Sequence, residues 1–359
     1  MRKIVFLPLM AFALLSCKEK SKFLVDVHEL DFRNKTSNVI HGQTAITEIP
    51  GVDEFVLFDT LLIFDTNDPS GQLKVYSKNS YRLLGAYCPM GRARNEFINT
   101  LPTTDQIYYN RQGHVVFPVM DKPDVLKEVD ITESLTQGYT VVLDVRECLP
   151  FNKGVVVYLD NNLDYKFEFV RNKFEVHEEK NSVPSIYRLI EPSGNETELE
   201  IFSSMVDNIS EKRSIAPYSG TLYKHPDRNI VVQNFSYMEY LLFFDFDKGT
   251  RFAIHQKDAP TFDGVYEGKG REDYFSFTDA ATSDKYFMII YWRGDYFLDV
   301  PNREGNNEVL VFDWNGKYIT GFKMDRKVSR IEYDESRHIL YALDATETLY
   351  AYDLNGKLP

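Results

Sequence analysis

Cysteine is scarce in this 359-residue chain. There are three, Cys17, Cys88 and Cys148, with neither a CxxC pair nor a Cys/His spacing that would hold zinc. That excludes a disulfide-stapled scaffold, which needs enough bridges to replace a core. Positive charge is also in deficit: 41 Lys and Arg face 54 Asp and Glu, a formal net charge of -13. Nucleic-acid binding needs a basic footprint and is excluded, as is adsorption onto anionic lipid through a charged face. No apolar run is long enough to span a bilayer as a helix; the longest, Ile4–Leu15, is about a dozen residues. Sustained helical periodicity is missing too. The spacing permits one short helix around Ser203–Arg213, where Met205, Ile209 and Arg213 share a face.

What is present begins at the first residues. Arg2 and Lys3 precede the apolar run, and Leu14-Leu15-Ser16-Cys17 follows it. A basic start, a short apolar stretch, a large aliphatic, small residues and then cysteine is the pattern read by lipoprotein signal peptidase. The expected organisation is a signal peptide over 1–16, a charged tether over 17–22 lipidated on Cys17, and one β-domain over 23–359. Removing Arg2 and Lys3 makes the mature chain more acidic still. Cys88 and Cys148 can pair in an oxidising envelope or remain two buried thiols; the residues leave both open.

The rest reads as strands. Tyr (23) and Phe (26) are abundant, and apolar residues make up 43%, enough for a real core. Short apolar runs at Leu61–Asp65, Leu73–Tyr76, Tyr81–Tyr87, Val115–Val119, Tyr139–Val145, Gly154–Leu159 and Lys166–Phe169 predict strands, as do Asn229–Asn234, Leu241–Phe246, Tyr286–Trp292, Glu308–Asp313, Tyr318–Met324, Ile339–Asp344 and Thr348–Asp353. Near the end, Val309-Leu-Val-Phe-Asp-Trp-Asn-Gly-Lys is echoed by Leu349-Tyr-Ala-Tyr-Asp-Leu-Asn-Gly-Lys, an offset of 40 residues from Asp313 to Asp353. Fainter copies start at Leu73 and Leu241. Four strands per 40 residues is the size of one propeller blade, which buries both apolar faces only by stacking on its neighbours. The fold expected is all-β: a propeller of four-stranded antiparallel blades, six or seven in number, with six favoured.

Residues 61–97 contain Leu-Leu-Ile-Phe-Asp-Thr, Leu-Lys-Val-Tyr-Ser and Tyr-Arg-Leu-Leu-Gly-Ala-Tyr, then Gly91-Arg92-Ala93-Arg94-Asn95-Glu96-Phe97. With the terminal repeat and the lipobox, this resembles the TolB-like six-bladed β-propeller lipoproteins of Bacteroidetes. Those proteins often carry Gly-Arg-Gly-Pro-Gly/Asn-Glu-Phe/Tyr at this place; here Ala93 and Arg94 stand where Gly and Pro are favoured. The resemblance implies six blades and an envelope location, and hands over no catalytic residues.

Motifs for chemistry are thin. The seven histidines include no HxxxH pair, and His177-Glu-Glu lacks a second ligand motif. There is no GxSxG elbow. Gly264–Gly270 is one residue short of a P-loop. Asp160-Asn-Asn-Leu-Asp164 starts like an EF-hand but has Tyr165 where glycine is needed, so it reads as a turn, as does Asp65–Asp68. No metal site and no cofactor is expected. The densest polar group is Arg92, Arg94 and Glu96: either a loop offering guanidinium groups to an anionic partner, or a connector pinned between blades. A second candidate is the long insertion Arg293–Asn307, which carries Tyr296 and Phe297. The leading expectation is a non-catalytic binding or scaffold propeller on the bacterial envelope, in the outer membrane, holding an unknown protein or glycan. The alternative is an envelope hydrolase or lyase with its site at the axial pore.

Overall fold

A computed structural model describes residues 23–33, 35, 38–102, 106–121, 125–147, 154–160, 164–170, 186–202, 220–236, 238–259, 261, 274–295 and 307–359. The chain opens with a strap of three short strands, β1 (Asp26–Leu30), β2 (Asn38–Ile40) and β3 (Gln43–Ile46). Six sheets follow around a ring. Blade 1 is β4 (Val52–Phe58), β5 (Leu61–Thr66), β6 (Leu73–Ser77) and β7 (Leu83–Tyr87). Blade 2 is β8 (Thr100–Pro102), β9 (Tyr108–Tyr109), β10 (Val115–Asp121), β11 (Val125–Asp130) and β12 (Val142–Glu147), with helix α1 (Ile131–Gln137) between its last two strands. Blade 3 is β13 (Gly154–Tyr158), β14 (Lys166–Val170), β15 (Ile186–Ile190) and β16 (Glu196–Leu199). Blade 4 is β17 (Leu222–Lys224), β18 (Ile230–Asn234), β19 (Tyr240–Asp245) and β20 (Thr250–Gln256). Blade 5 is β21 (Tyr274–Thr282), β22 (Phe287–Asp295), β23 (Glu308–Phe312) and β24 (Tyr318–Met324). Blade 6 takes only β25 (Val328–Asp334), β26 (Ile339–Asp344) and β27 (Leu349–Asp353) from the end of the chain.

The missing strand of blade 6 comes from the beginning. Strand β3 pairs antiparallel with β27, Ile46 opposite Leu349, and completes the four-stranded sheet. Upstream, β1 lies parallel to β20 on blade 4, and β2 lies parallel to β24 on blade 5. The strap therefore runs along the outer edges of blades 4 and 5 before closing blade 6.

The repeat seen in the sequence is the third strand of a blade. Strands β6, β19, β23 and β27 all hold that position, and the 40-residue offset is one step around the ring. On β23 its Asp-x-Asn-Gly ending makes the hairpin to β24. The carboxylate of Asp313 accepts from the amides of Asn315 and Lys317, both at 2.9 Å, while Gly316 takes a left-handed φ of 75°.

The apolar runs are continuous because each central strand is buried on both faces. Val309 and Val311 face blade 6, whereas Leu310 and Phe312 face blade 4. On β5, Leu61 and Ile63 face blade 2 while Leu62 and Phe64 face blade 6. The core is thus a set of inter-blade layers, the pattern expected when side chains alternate across a stacked sheet.

Helix α1 is the one helix among the described residues. Asp130 caps it by accepting from Glu133 N at 2.8 Å, and Gly138 ends it at φ 74°. The helix expected around Ser203–Arg213 lies outside the described residues. Among the described residues no helix is long and apolar enough to cross a membrane.

Candidate functional site

Two places gather polar side chains. The first is the connector from blade 1 to blade 2, residues 88–100. Its backbone is tied on every side. Glu96 turns one carboxylate oxygen back onto the amides of Arg92 (2.7 Å) and Ala93 (2.9 Å). Gly91 N donates to Phe97 O at 3.0 Å, and Phe97 N donates to Pro89 O at 2.9 Å. Phe97 is fully buried, with the Lys127 ammonium over its ring at 4.4 Å. Lys127 also donates to Glu96 O and pairs with Asp121 at 2.7 Å. Beneath the loop, Gln72 Nε2 donates to the carbonyls of Cys88 and Phe97, both at 3.2 Å.

This settles how the three predicted residues divide. Glu96 holds the loop's own amides. Arg94 clips the loop to blade 2, donating to Leu143 O at 3.0 Å on outer strand β12. Arg92 is exposed, and its guanidinium has no partner among the described residues. Six of the exposed large apolar side chains among the described residues belong to the connector and the outer strands it joins: Leu83 and Leu84 on β7, Met90 and Ile98 in the connector, and Leu143 and Val145 on β12. The outer edges of β7 and β12 carry no strap strand, unlike those of blades 4 and 5.

Cys88 is buried beside this connector, its amide donating to Thr140 Oγ1 at 2.8 Å; burial, with Asp65 adding, pushes its thiol well up. Cys148 lies outside the described residues, and with it the proposed pairing. Cys17, Tyr296, Phe297, His177 and 264–270 also lie outside them. Asp160 accepts from the amides of Asp164 (3.1 Å) and Tyr165 (3.0 Å), a turn as the sequence suggested. Asp68 does the same for Ser70 and pairs with Lys74.

The second place is on the axis. A cavity of about 120 Å³ is lined by the first strands of blades 1, 4, 5 and 6. Blades 1 and 4 stand opposite each other in a ring of six, so a cavity touching both crosses the centre. Its charged residues are Glu54 on β4, Asp279 on β21, and Arg330 and Glu332 on β25. Asp279 accepts from Ile331 N at 2.8 Å, which fastens blade 5 to blade 6. Burial pushes its carboxyl up to about 7 against the pull of Arg330. Burial raises Glu54 as well, and Asp53 adds to the shift. Burial opposes the charge of Arg330, but Asp279 and Glu54 outweigh it and hold the guanidinium protonated. Among the described residues no three His, Cys, Asp or Glu side chains are placed so that they could hold a metal ion.

None of these axial residues was picked out by sequence reasoning. The signal that could have found them is the charge inside Val328-Ser-Arg-Ile-Glu-Tyr-Asp, the innermost strand of its blade. Arg330 and Glu332 of that strand line the cavity, whereas Asp334 at its end pairs with Lys78 of blade 1 at 2.8 Å.

A closed ring of six four-stranded antiparallel blades defines the class of protein: a six-bladed β-propeller. The TolB-like 6-blade propeller-like family matches residues 31–336, and the chain belongs to that family. A solved member of the DUF4221 family from Bacteroides vulgatus shares the fold, with 11% identity, TM-score 0.50, and 93% of this chain and 97% of that one covered. A protein from Bacteroides fragilis described as exported aligns at 10% identity and TM-score 0.49, covering 92% and 99%. The Swd1 β-propeller domain of Myceliophteria thermophila aligns at 12% identity and TM-score 0.48, covering 87% and 99%. No curated protein matches the chain.

Proposed function

We propose that the protein is a lipid-anchored envelope lipoprotein whose propeller serves as a non-catalytic docking scaffold, with a protein partner seated on the perimeter of blades 1 and 2. The observation that carries the reading is the set of exposed apolar side chains on β7, β12 and the connector between them, which is held rigid by Glu96, Arg94 and Lys127 and exposes Arg92. Rigid loops with exposed apolar groups lose little entropy on binding. An exposed, unpaired cation in so acidic a chain suits a partner that presents a carboxylate. The exposed apolar side chains favour protein over glycan, the two partner classes left by the sequence.

The anchor fits this geometry. Leu24 N donates to Ile201 O at 2.8 Å, so the strap meets the ring where blades 3 and 4 adjoin. From Cys17 to Phe23 the tether can reach roughly 20 Å. A ring leashed at that point has blade 1, which is opposite blade 4, on the side away from the tether.

Two experiments test the reading. Cys17→Ser is expected to leave an unprocessed precursor or to release the protein from the membrane fraction; normal processing with unchanged attachment rules the anchor out. A photoreactive residue in place of Leu84 should trap a discrete adduct in intact cells, lost with Arg92→Ala while the melting temperature stays unchanged. Equal trapping from Glu198 on the outer strand of blade 3, or trapping indifferent to Arg92→Ala, would remove the docking site.

A further inference from the structure

We infer that the axial cavity binds a small zwitterion of the α-amino-acid class, its carboxylate on the Nε edge of Arg330 and its ammonium beside Glu54 and Asp279. This site is separate from the perimeter surface proposed above and does not depend on it.

Some polar groups lining this cavity make no hydrogen bond within the protein. Arg330 carries five donors. One, on Nη1, goes to Ser329 O at 3.2 Å. Nη2 lies 3.8 Å from Glu54 Oε1, too far for a hydrogen bond. Nε is buried from solvent and has no partner. Thr278 Oγ1, in the same lining, is also buried without a partner. Unmade bonds at buried polar atoms are rare and call for an occupant of the space. Nε and Nη2 form one edge of the guanidinium, and that edge matches the two oxygens of a carboxylate.

The charge around Arg330 narrows the ligand. A lone anion would meet Glu54, Asp279 and Glu332 along with Arg330. A lone amine would meet Arg330 along with the carboxylates. A molecule carrying both charges satisfies the two halves together. Burial has raised the carboxyls of Glu54 and Asp279, and an ammonium beside them would stabilise their ionised forms. The volume suits a molecule of this size, being several times what a single water needs. Phe55 and Tyr223 in the wall offer apolar surface to a side chain.

The test is calorimetric titration of the folded, full mature chain with the twenty standard amino acids. At least one is expected to bind saturably with a dissociation constant below about 10 mM. Its deaminated acid and its decarboxylated amine should each bind at least about tenfold more weakly. Glu54→Gln should weaken the amino acid by about tenfold and leave the acid analogue unchanged. Thr278→Val should weaken binding without lowering the melting temperature, since the hydroxyl it removes makes no hydrogen bond within the protein. The inference is overturned if no amino acid saturates. It is equally overturned if either analogue matches its parent, if Glu54→Gln has no effect, or if glucose binds and amino acids do not.

Discussion

Phe32→Ala is expected to destabilise the fold by about 3–5 kcal/mol. Phe32 belongs to the strap, yet only 1% of it is exposed. Its ring inserts between blades 4 and 5, meeting Tyr291 edge-on at 5.4 Å and Phe312 at 6.0 Å. Its amide donates to Gln256 Oε1 at 2.9 Å. The next residue, Arg33, pairs with Glu239 at 2.6 Å and donates to Tyr291 OH at 3.2 Å. Losing the ring opens a cavity in a layer shared by two blades and loosens the segment that goes on to close blade 6. Because adjacent blades share their core, unfolding should remain one transition at a lower denaturant midpoint. Val27→Ala, at an exposed strap position, should change stability by less than about 0.5 kcal/mol. If the two variants have equal midpoints, the strap is a surface ornament and this account of it is wrong.

Asp65→Asn should change how stability depends on pH. Burial pushes the Asp65 carboxyl up to about 7, with Glu54 and Asp53 adding, against the bond it accepts from Thr100 Oγ1. The group has a higher pKa folded than unfolded, so the folded state holds the proton more tightly. Its contribution is fully present below about pH 4 and is lost as pH rises through about 7. Wild type should therefore weaken across that window. Asn keeps an acceptor for Thr100 and removes the charge, so the variant should gain roughly 2–4 kcal/mol relative to wild type between pH 5 and pH 8. Asp279 has the same shift, so the slope should fall without vanishing. Urea unfolding at several pH values checks this; parallel curves for the two proteins would contradict it.

The blades were legible because their third strands are apolar on both faces and end in a turn that only a few residues can make. Val309–Gly316 and Leu349–Gly356 carry that signal directly. The strap was not legible for the opposite reason. Asp26-Val-His-Glu-Leu30 is mostly exposed and holds its place through backbone bonds to β20, so no hydrophobic pattern marks it. Helix α1 was overlooked although Asp130-Ile-Thr-Glu133 and Gly138 spell its two ends; at seven residues it is too short to show periodicity. The connector was found from its charges, but which arginine is free depends on where β12 lies. The axial cavity joins Glu54, Asp279 and Arg330, which no local spacing relates, and only closure of the ring brings them together.

Closure also imposes an order in time. Strand β3 is made well before its partner β27, with about 300 residues between them. Blades 1 to 3 can assemble from contiguous sequence as it arrives. Blades 4 and 5 can form their own strands, but the strap can settle on them only once they exist. Until the final strand appears, the sixth position is a gap flanked by the bare apolar faces of blades 1 and 5, a surface prone to misassociation. A nascent chain is therefore at its most vulnerable just before β27 is made. Any factor that keeps it from aggregating must hold on until β27 is delivered to β3.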